Sequence, residues 1–159
     1  MEVLTKVLYR QQRQESANLE LDPTRFENMI ENADPQLKGF FKFMTNSIIP
    51  KERSAHNISE AKKSIVGLCY MMAGLRNKFV NQHKLEVGLY LMASGATWDA
   101  IDTMSRLGYA ACAKTVKSFQ KKIYNEHVKK TEEHFIKHVN FNSNFNKIFL
   151  KYKKTCKIF

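Results

Sequence analysis

The sequence has few cysteines and no long hydrophobic run. Its three cysteines, Cys69, Cys112 and Cys156, are widely spaced and form no Cys-x-x-Cys pair, which argues against a disulfide framework or a thiolate metal site. The longest apolar run, residues 65–75 ("IVGLCYMMAGL"), is shorter than the about 20 residues of a membrane-spanning helix. The N-terminus lacks the apolar segment of a secretion signal. We therefore expect a nuclear or cytoplasmic protein that is not secreted and has no transmembrane segment.

Acidic side chains are scarce in the C-terminal third. Residues 114–159 contain 12 Lys and 3 Glu, whereas residues 1–113 contain 14 basic and 12 acidic side chains. Most of the formal net charge of +11 therefore comes from the C-terminal third. A positive field of this kind attracts polyanions. Nucleic acids are the first candidate partners, followed by anionic membranes and acidic proteins.

Strand signals are also lacking, because no Asn-Gly or Asp-Gly turn occurs and apolar residues recur at spacings of three and four. The pattern predicts an all-α protein, a compact bundle of five to seven helices. We divide the chain into an N-terminal helix or flexible segment (1–22), a helical domain (23–137) and a basic aromatic tail (138–159) that we expect to be poorly ordered.

Capping residues predict several helix starts. Asp-Pro pairs at 22–23 and 34–35 each predict a helix with Asp as N-cap, the second running as far as Pro50. Asn57 and Glu60 predict a capping box for the next helix. The apolar stripe of that helix, at helical spacing, comprises Ile58, Ala61, Ile65, Leu68, Cys69, Met72 and Leu75.

Residues 96–125 have the parts of a helix-turn-helix. Thr97 is the expected N-cap of a short helix that ends at Gly108, and a longer helix follows from about residue 112. In this motif the first helix packs across the second, which enters the major groove. The spacing from Gly108 to Val116 is eight residues, where about six is usual, so we expect a longer turn.

The long helix has an apolar face and a lysine face. Its expected inward residues are Cys112, Val116, Phe119 and Ile123. The opposite face, which we call the lysine face, comprises Lys114, Lys117, Ser118, Lys121, Lys122 and Asn125.

The residue types of the lysine face suggest separate roles on nucleic acid. Lysines suit phosphate contacts, whereas Ser118 and Asn125 are suited to base edges. No arginine is available for bidentate guanine recognition, so we expect binding, most simply to duplex DNA, with modest sequence preference. The alternative is that these lysines form only a solvated face.

The tail interleaves lysine with phenylalanine. Lys147, Lys151, Lys153 and Lys154 alternate with Phe145, Phe149 and Tyr152. Such a segment suits stacking on bases or attachment to an anionic membrane. A terminal extension without a binding role is the third interpretation.

Catalytic and metal-binding patterns are thin. His134 and His138 lie one helical turn apart beside Glu133, but a third metal ligand is not evident. Asp99 and Asp102 form a poor catalytic pair, and the sequence has no glycine-rich phosphate loop or nucleophile elbow. We predict no catalytic residue, no metal site, no cofactor and no enzymatic activity.

A long pattern links the fourth and the last predicted helices. It comprises Leu68-Cys69, Arg76-Asn77-Lys78, Gly88 to Leu91, Ser94-Gly95, Leu107-Gly108 and Lys114-Thr115-Val116. This stretch, about 65–127, resembles a region of large multicopy fungal proteins derived from mobile elements. The resemblance implies a transposase-like protein of unknown function. It also implies that this chain is a truncated copy, which keeps at most a DNA-binding or docking module.

The rival interpretation is a protein-interaction or oligomerisation domain. In that case the apolar helices 57–75 and 80–92 pair with another copy or another protein, and they expose Leu, Met or Cys side chains.

Overall fold

The computed structural model describes the backbone of residues 1–14 and 19–141 and the side chains of residues 1–14 and 19–134. This part of the chain is helical and without strands, which confirms the all-α class. Its helices are α1 (Glu2–Gln11), α2 (Pro23–Ala33), α3 (Phe40–Ile48), α4 (Ala55–Arg76), α5 (Gln82–Ala93), α6 (Trp98–Arg106) and α7 (Ala113–Phe141), with one 3-10 turn (Pro35–Leu37). The described residues fall into two units, Met1–Val116 and the part of α7 from Lys117 onward.

The two Asp-Pro pairs begin helices as expected, but the second helix is divided. Asp22 accepts a hydrogen bond from the Arg25 backbone N–H (2.9 Å) and Asp34 accepts one from Gln36 (3.0 Å). The single helix predicted from Asp34 to Pro50 is wrong, because Gly39 adopts φ +74° and separates the 3-10 turn from α3. Glycine takes this left-handed conformation without steric cost.

The N-cap of α4 lies three residues before the predicted one. Ser54 is its N-cap and accepts a hydrogen bond from the Asn57 N–H (3.3 Å). The capping box at Asn57 and Glu60 is therefore wrong, and the Glu60 carboxylate instead pairs with Lys63 at 2.6 Å.

The apolar stripe of α4 is partly different from the predicted one. Ile65 and Cys69 are buried as expected, but Leu75 is 82% exposed and Leu68 is 37% exposed. Three other residues of α4 are buried in their place, namely Val66, Tyr70 and Ala73.

The main core of the first unit is formed by α1 to α4. Phe26 is fully buried, and its ring lies edge-on to Phe41 (5.6 Å between centroids) and to Tyr70 (5.5 Å). Helix α1 contributes Leu4 and Leu8, both fully buried. The N-terminal helix is therefore an integral part of this core.

A polar cluster lies where α4 meets the start of α5. The His83 ring stacks on Tyr70 at 6.0 Å, and the Tyr70 hydroxyl donates to the Glu20 carbonyl at 3.3 Å. The Gln12 side-chain oxygen accepts from the Gln82 N–H at 3.3 Å. His83 Nδ1 and Gln12 Nε2 are buried and have no hydrogen-bond partner among the described residues. Burial of His83, and then the charge of Lys84, lower its pKa, because both disfavour the imidazolium.

His83 is expected to make the protein less stable in acid. A folded-state pKa below the usual value means that the unfolded chain binds more protons as pH falls through about 6.5. The free energy of unfolding should therefore fall from pH 7.5 to 5. The variant His83→Phe retains a ring against Tyr70 and removes the titration, so urea denaturation should show a smaller fall. An identical pH dependence in both proteins would contradict this role.

Candidate nucleic-acid interface

A second apolar cluster holds α5, α6 and the first turn of α7 together within the first unit. Its buried members are Ile101, Ala113 and Val116. Leu89 and Met92 of α5 pack against them. Val116 faces inward, as predicted, and is fully buried.

Helix α5 approaches α7 closely at Gly88. A Cβ atom placed on Gly88 would lie 2.4 Å from Val116 Cγ2 and 3.6 Å from the Ala111 carbonyl oxygen. The Ala111 N–H donates to the Lys84 carbonyl at 2.9 Å. These contacts join the segment before α7 to α5.

Alanine at Gly88 and alanine at Gly67 are expected to differ in their effects on stability. Gly88→Ala should lower the free energy of unfolding by about 1–3 kcal/mol, because the new methyl group would overpack the core against the stiff Val116 side chain. At Gly67 the nearest atom to a new Cβ is His83 Nε2 at 3.5 Å, an ordinary contact. Gly67→Ala should therefore be neutral or stabilising by up to about 1 kcal/mol, from helix propensity.

Urea denaturation measures both variants. Adding Val116→Ala to Gly88→Ala removes the clashing methyl groups. The loss in the free energy of unfolding of the double variant should therefore be smaller than the sum of the losses of the two single variants. Additive losses would show that the Gly88–Val116 contact is not the cause.

Helix α6 and the following turn have the caps that the sequence predicts. Thr97 accepts a hydrogen bond from the Ala100 N–H at 3.2 Å, and Ile101 is the buried residue of α6. Gly108 adopts φ +86° after α6, as Gly95 adopts φ +81° after α5. Both glycines therefore end a helix in the left-handed conformation.

Asp102 has a role that the sequence did not indicate. Its carboxylate accepts a hydrogen bond from the Ala113 N–H at 2.8 Å and so occupies the start of α7. A carboxylate at this position satisfies one of the unpaired N–H groups and complements the helix dipole. The contact spans eleven residues and joins α6 to α7, so periodicity along either helix could not have indicated it.

The lysine face is exposed to solvent. Lys114 lies in the first unit, and Lys117, Ser118, Lys121, Lys122 and Asn125 lie on the part of α7 that belongs to the second unit. All six residues are exposed.

The predicted apolar face of α7 is only partly correct. Phe119 is half-buried, but Cys112 is exposed and Ile123 is 40% exposed. The inward assignment of Cys112 and Ile123 is therefore wrong. Helical periodicity identifies an apolar side, and neighbouring elements decide how far along the helix that side is covered.

Electrostatics leave the lysine face strongly basic. Residues 113–125 contain four lysines and no acid. Lys122 lies 3.7 Å from Glu126, with both side chains more than half exposed, and such surface pairs are worth about 0–1 kcal/mol.

At the start of the helix, hydrogen bonding to Thr115 lowers the pKa of the exposed Cys112 thiol.

Further exposed side chains lie at the end of α6, in the turn before α7 and on α7 itself. Arg106 and Tyr109 flank the turn before α7 and are exposed, and Tyr124 on α7 is 67% exposed.

The remaining predicted sites have no described counterpart. Lys147, Lys151, Lys153 and Lys154, the tail residues predicted to contact nucleic acid or membrane, lie outside the described residues. The same holds for the side chain of His138. Within the described part, no cluster of three or more His, Cys, Asp or Glu could hold a metal ion. No helix among these residues is both long enough and apolar enough to cross a membrane.

Comparison with known proteins finds no match for this chain, whether the comparison is with protein-family models, with curated proteins or with solved structures. What is shown about its class is therefore an all-α fold.

Proposed function

We propose that this chain is a non-enzymatic nucleic-acid-binding helical domain whose partner is duplex DNA, read with modest sequence preference. The observation that supports it best is the exposure of four lysines on one helix over a stretch without an acidic residue. Such a stretch neutralises phosphates and releases counterions, which gives the protein an affinity for DNA that depends little on the base sequence.

Residue types on the lysine face suggest a division of labour. The lysines contact phosphates, and Ser118 and Asn125 contact base edges. The cluster of Ile101, Ala113 and Val116 holds the start of α7 against α5 and α6, which is the support that a helix-turn-helix needs. The resemblance to mobile-element proteins agrees with DNA as the ligand, and the proposal includes that origin and a nuclear or cytoplasmic location.

A salt titration tests the proposal. Fluorescence anisotropy of the full chain against labelled duplex DNA, single-stranded DNA and RNA should show binding to the duplex that weakens steeply between 50 and 200 mM salt. The plot of log affinity against log salt should have a slope of about −0.9 per phosphate contact. A folded protein that binds none of the three ligands would overturn the proposal.

A second candidate function, protein docking, is favoured by one observation. Helix α4 exposes Leu68 and Leu75 on one side, seven residues apart, and Phe79 just after the helix is 58% exposed. Contiguous patches of exposed apolar side chains mark contact surfaces more often than isolated apolar side chains do. The contact we propose for this function is with a second copy of the chain or with another protein.

Light scattering after size-exclusion chromatography tests self-association. If α4 mediates it, the wild-type protein should be dimeric at micromolar concentration, and Leu68→Glu with Leu75→Glu should make it monomeric. The control is Phe43→Glu on α3, where the side chain is 70% exposed on another helix. A monomeric wild-type protein would exclude a second copy as the partner.

A further inference from the structure

A cleft lies between α2, α3 and α4, in a part of the first unit that the proposed function does not use. Its volume is about 400 Å³, within the about 300–1,000 Å³ of small-molecule sites. Phe41, Ile49 and Ile58 provide its apolar lining. Phe41 and Ile49 are buried and Ile58 packs against the main core, so this wall of the cleft is continuous with the core.

The rim of the cleft is basic. Lys42, Lys51 and Lys62 line it together with one acid, Glu27, which leaves two positive charges in excess. None of the three lysines has an ion-pair partner among the described residues, where the pairs involve Lys6, Lys63, Arg76 and Lys122. An excess of two positive charges matches an anion of charge about −1.5 to −2, which a phosphate monoester has at neutral pH.

We propose that this cleft binds a small phosphate monoester with an apolar or aromatic organic group. The phosphate lies among Lys42, Lys51 and Lys62, because lysine ammonium groups bind phosphate as point charges. The organic group lies against Pro50 and Ile58, the apolar lining residues that are not buried. A carboxylate is a poorer ligand, since its single charge leaves one of the two excess positive charges unmatched.

Calorimetric titration of the full chain with phenyl phosphate tests this proposal, with inorganic phosphate and benzoate as comparison ligands. Phenyl phosphate should bind at least about tenfold more tightly than inorganic phosphate, because its ring leaves water for the apolar wall. It should also bind more tightly than benzoate. Equal affinity for phenyl phosphate and inorganic phosphate would overturn the proposal.

Lysine variants locate the site. Lys62→Ala should weaken the binding of phenyl phosphate by about 3- to 10-fold, as should Lys42→Ala and Lys51→Ala. Lys63→Ala is the matched control: it removes the same charge from the next residue, but Lys63 pairs with Glu60 and does not line the cleft. Equal losses for Lys62→Ala and Lys63→Ala would indicate general charge attraction and would also overturn the proposal.

Two further variants distinguish binding in the cleft from binding at the lysine face and from a loss of binding that is caused by unfolding. Replacing Lys114, Lys117, Lys121 and Lys122 by Glu should not change the preference of the cleft for phenyl phosphate over inorganic phosphate. Asn46→Trp places a large ring at an exposed position of the cleft, so it should abolish that preference without a change in circular dichroism. A preference that survives Asn46→Trp would contradict the proposed place of the organic group.

Discussion

Replacing Lys114, Lys117, Lys121 and Lys122 by Glu is expected to lower the affinity for duplex DNA more than about 100-fold, since four phosphate contacts become four repulsions. If all four lysines contact phosphates, the dependence of log affinity on log salt should also become shallower by about 3 to 4. Helix content should not change, because the four side chains are exposed and surface substitutions usually alter stability within about 0.5 kcal/mol. Fluorescence anisotropy and circular dichroism on the same samples measure both effects.

The control for this variant changes the net charge equally on other elements. Lys6, Lys38, Lys63 and Lys78 are exposed residues of the first unit, and replacing them by Glu gives the same total charge. Their replacement should weaken binding far less, because only long-range attraction is reduced. If both quadruple variants lose affinity equally, the lysine face is not the interface.

Single substitutions on the same face separate affinity from sequence preference. Ser118→Ala and Asn125→Ala should lower the affinity for the preferred duplex more than the affinity for other duplexes, because base contacts and not phosphate contacts distinguish sequences. A competition assay with several duplexes measures this difference.

Phe26→Ala is expected to lower the free energy of unfolding by about 3–5 kcal/mol. Phe26 is fully buried and contacts the rings of Phe41 and Tyr70 edge-on, so alanine leaves a cavity between α2, α3 and α4. Small domains are stable by only about 5–15 kcal/mol, so this loss is a large fraction of the total. Urea denaturation followed by circular dichroism measures it.

Phe43→Ala is the matched control for Phe26→Ala. The Phe43 side chain on α3 is 70% exposed, so its removal should change the free energy of unfolding by less than about 0.5 kcal/mol. Similar losses in the two variants would mean that Phe26 does not pack in the core as described.

Local features of the fold could be predicted from the sequence because they depend on neighbouring residues. Asp22, Asp34 and Thr97 are caps, and Gly108 has positive φ, as expected. Each of these depends on a side chain that reaches an N–H within three residues, or on a glycine that lacks Cβ. The all-α class follows from the same local periodicity.

The buried face of α4 could not be predicted in the same way. The run 65–75 is apolar on every side, so the helical period does not select one face, and Tyr70 and Ala73 are buried where Leu68 and Leu75 were expected. Contact with α1 and α2 decides the face, and those helices are distant in sequence.

The same distinction between local and tertiary features applies to the candidate site and to the cleft. The amino-acid sequence by itself determined which residues of α7 are lysines, that no acid interrupts them, and that the helix forms. The tertiary structure alone decided that Asp102 caps α7, that Gly88 admits Val116, and that Lys42, Lys51 and Lys62 meet around one cleft. The physical reason is range: capping and periodicity act within about one helical turn, whereas these contacts join different elements and exist only after the core has packed.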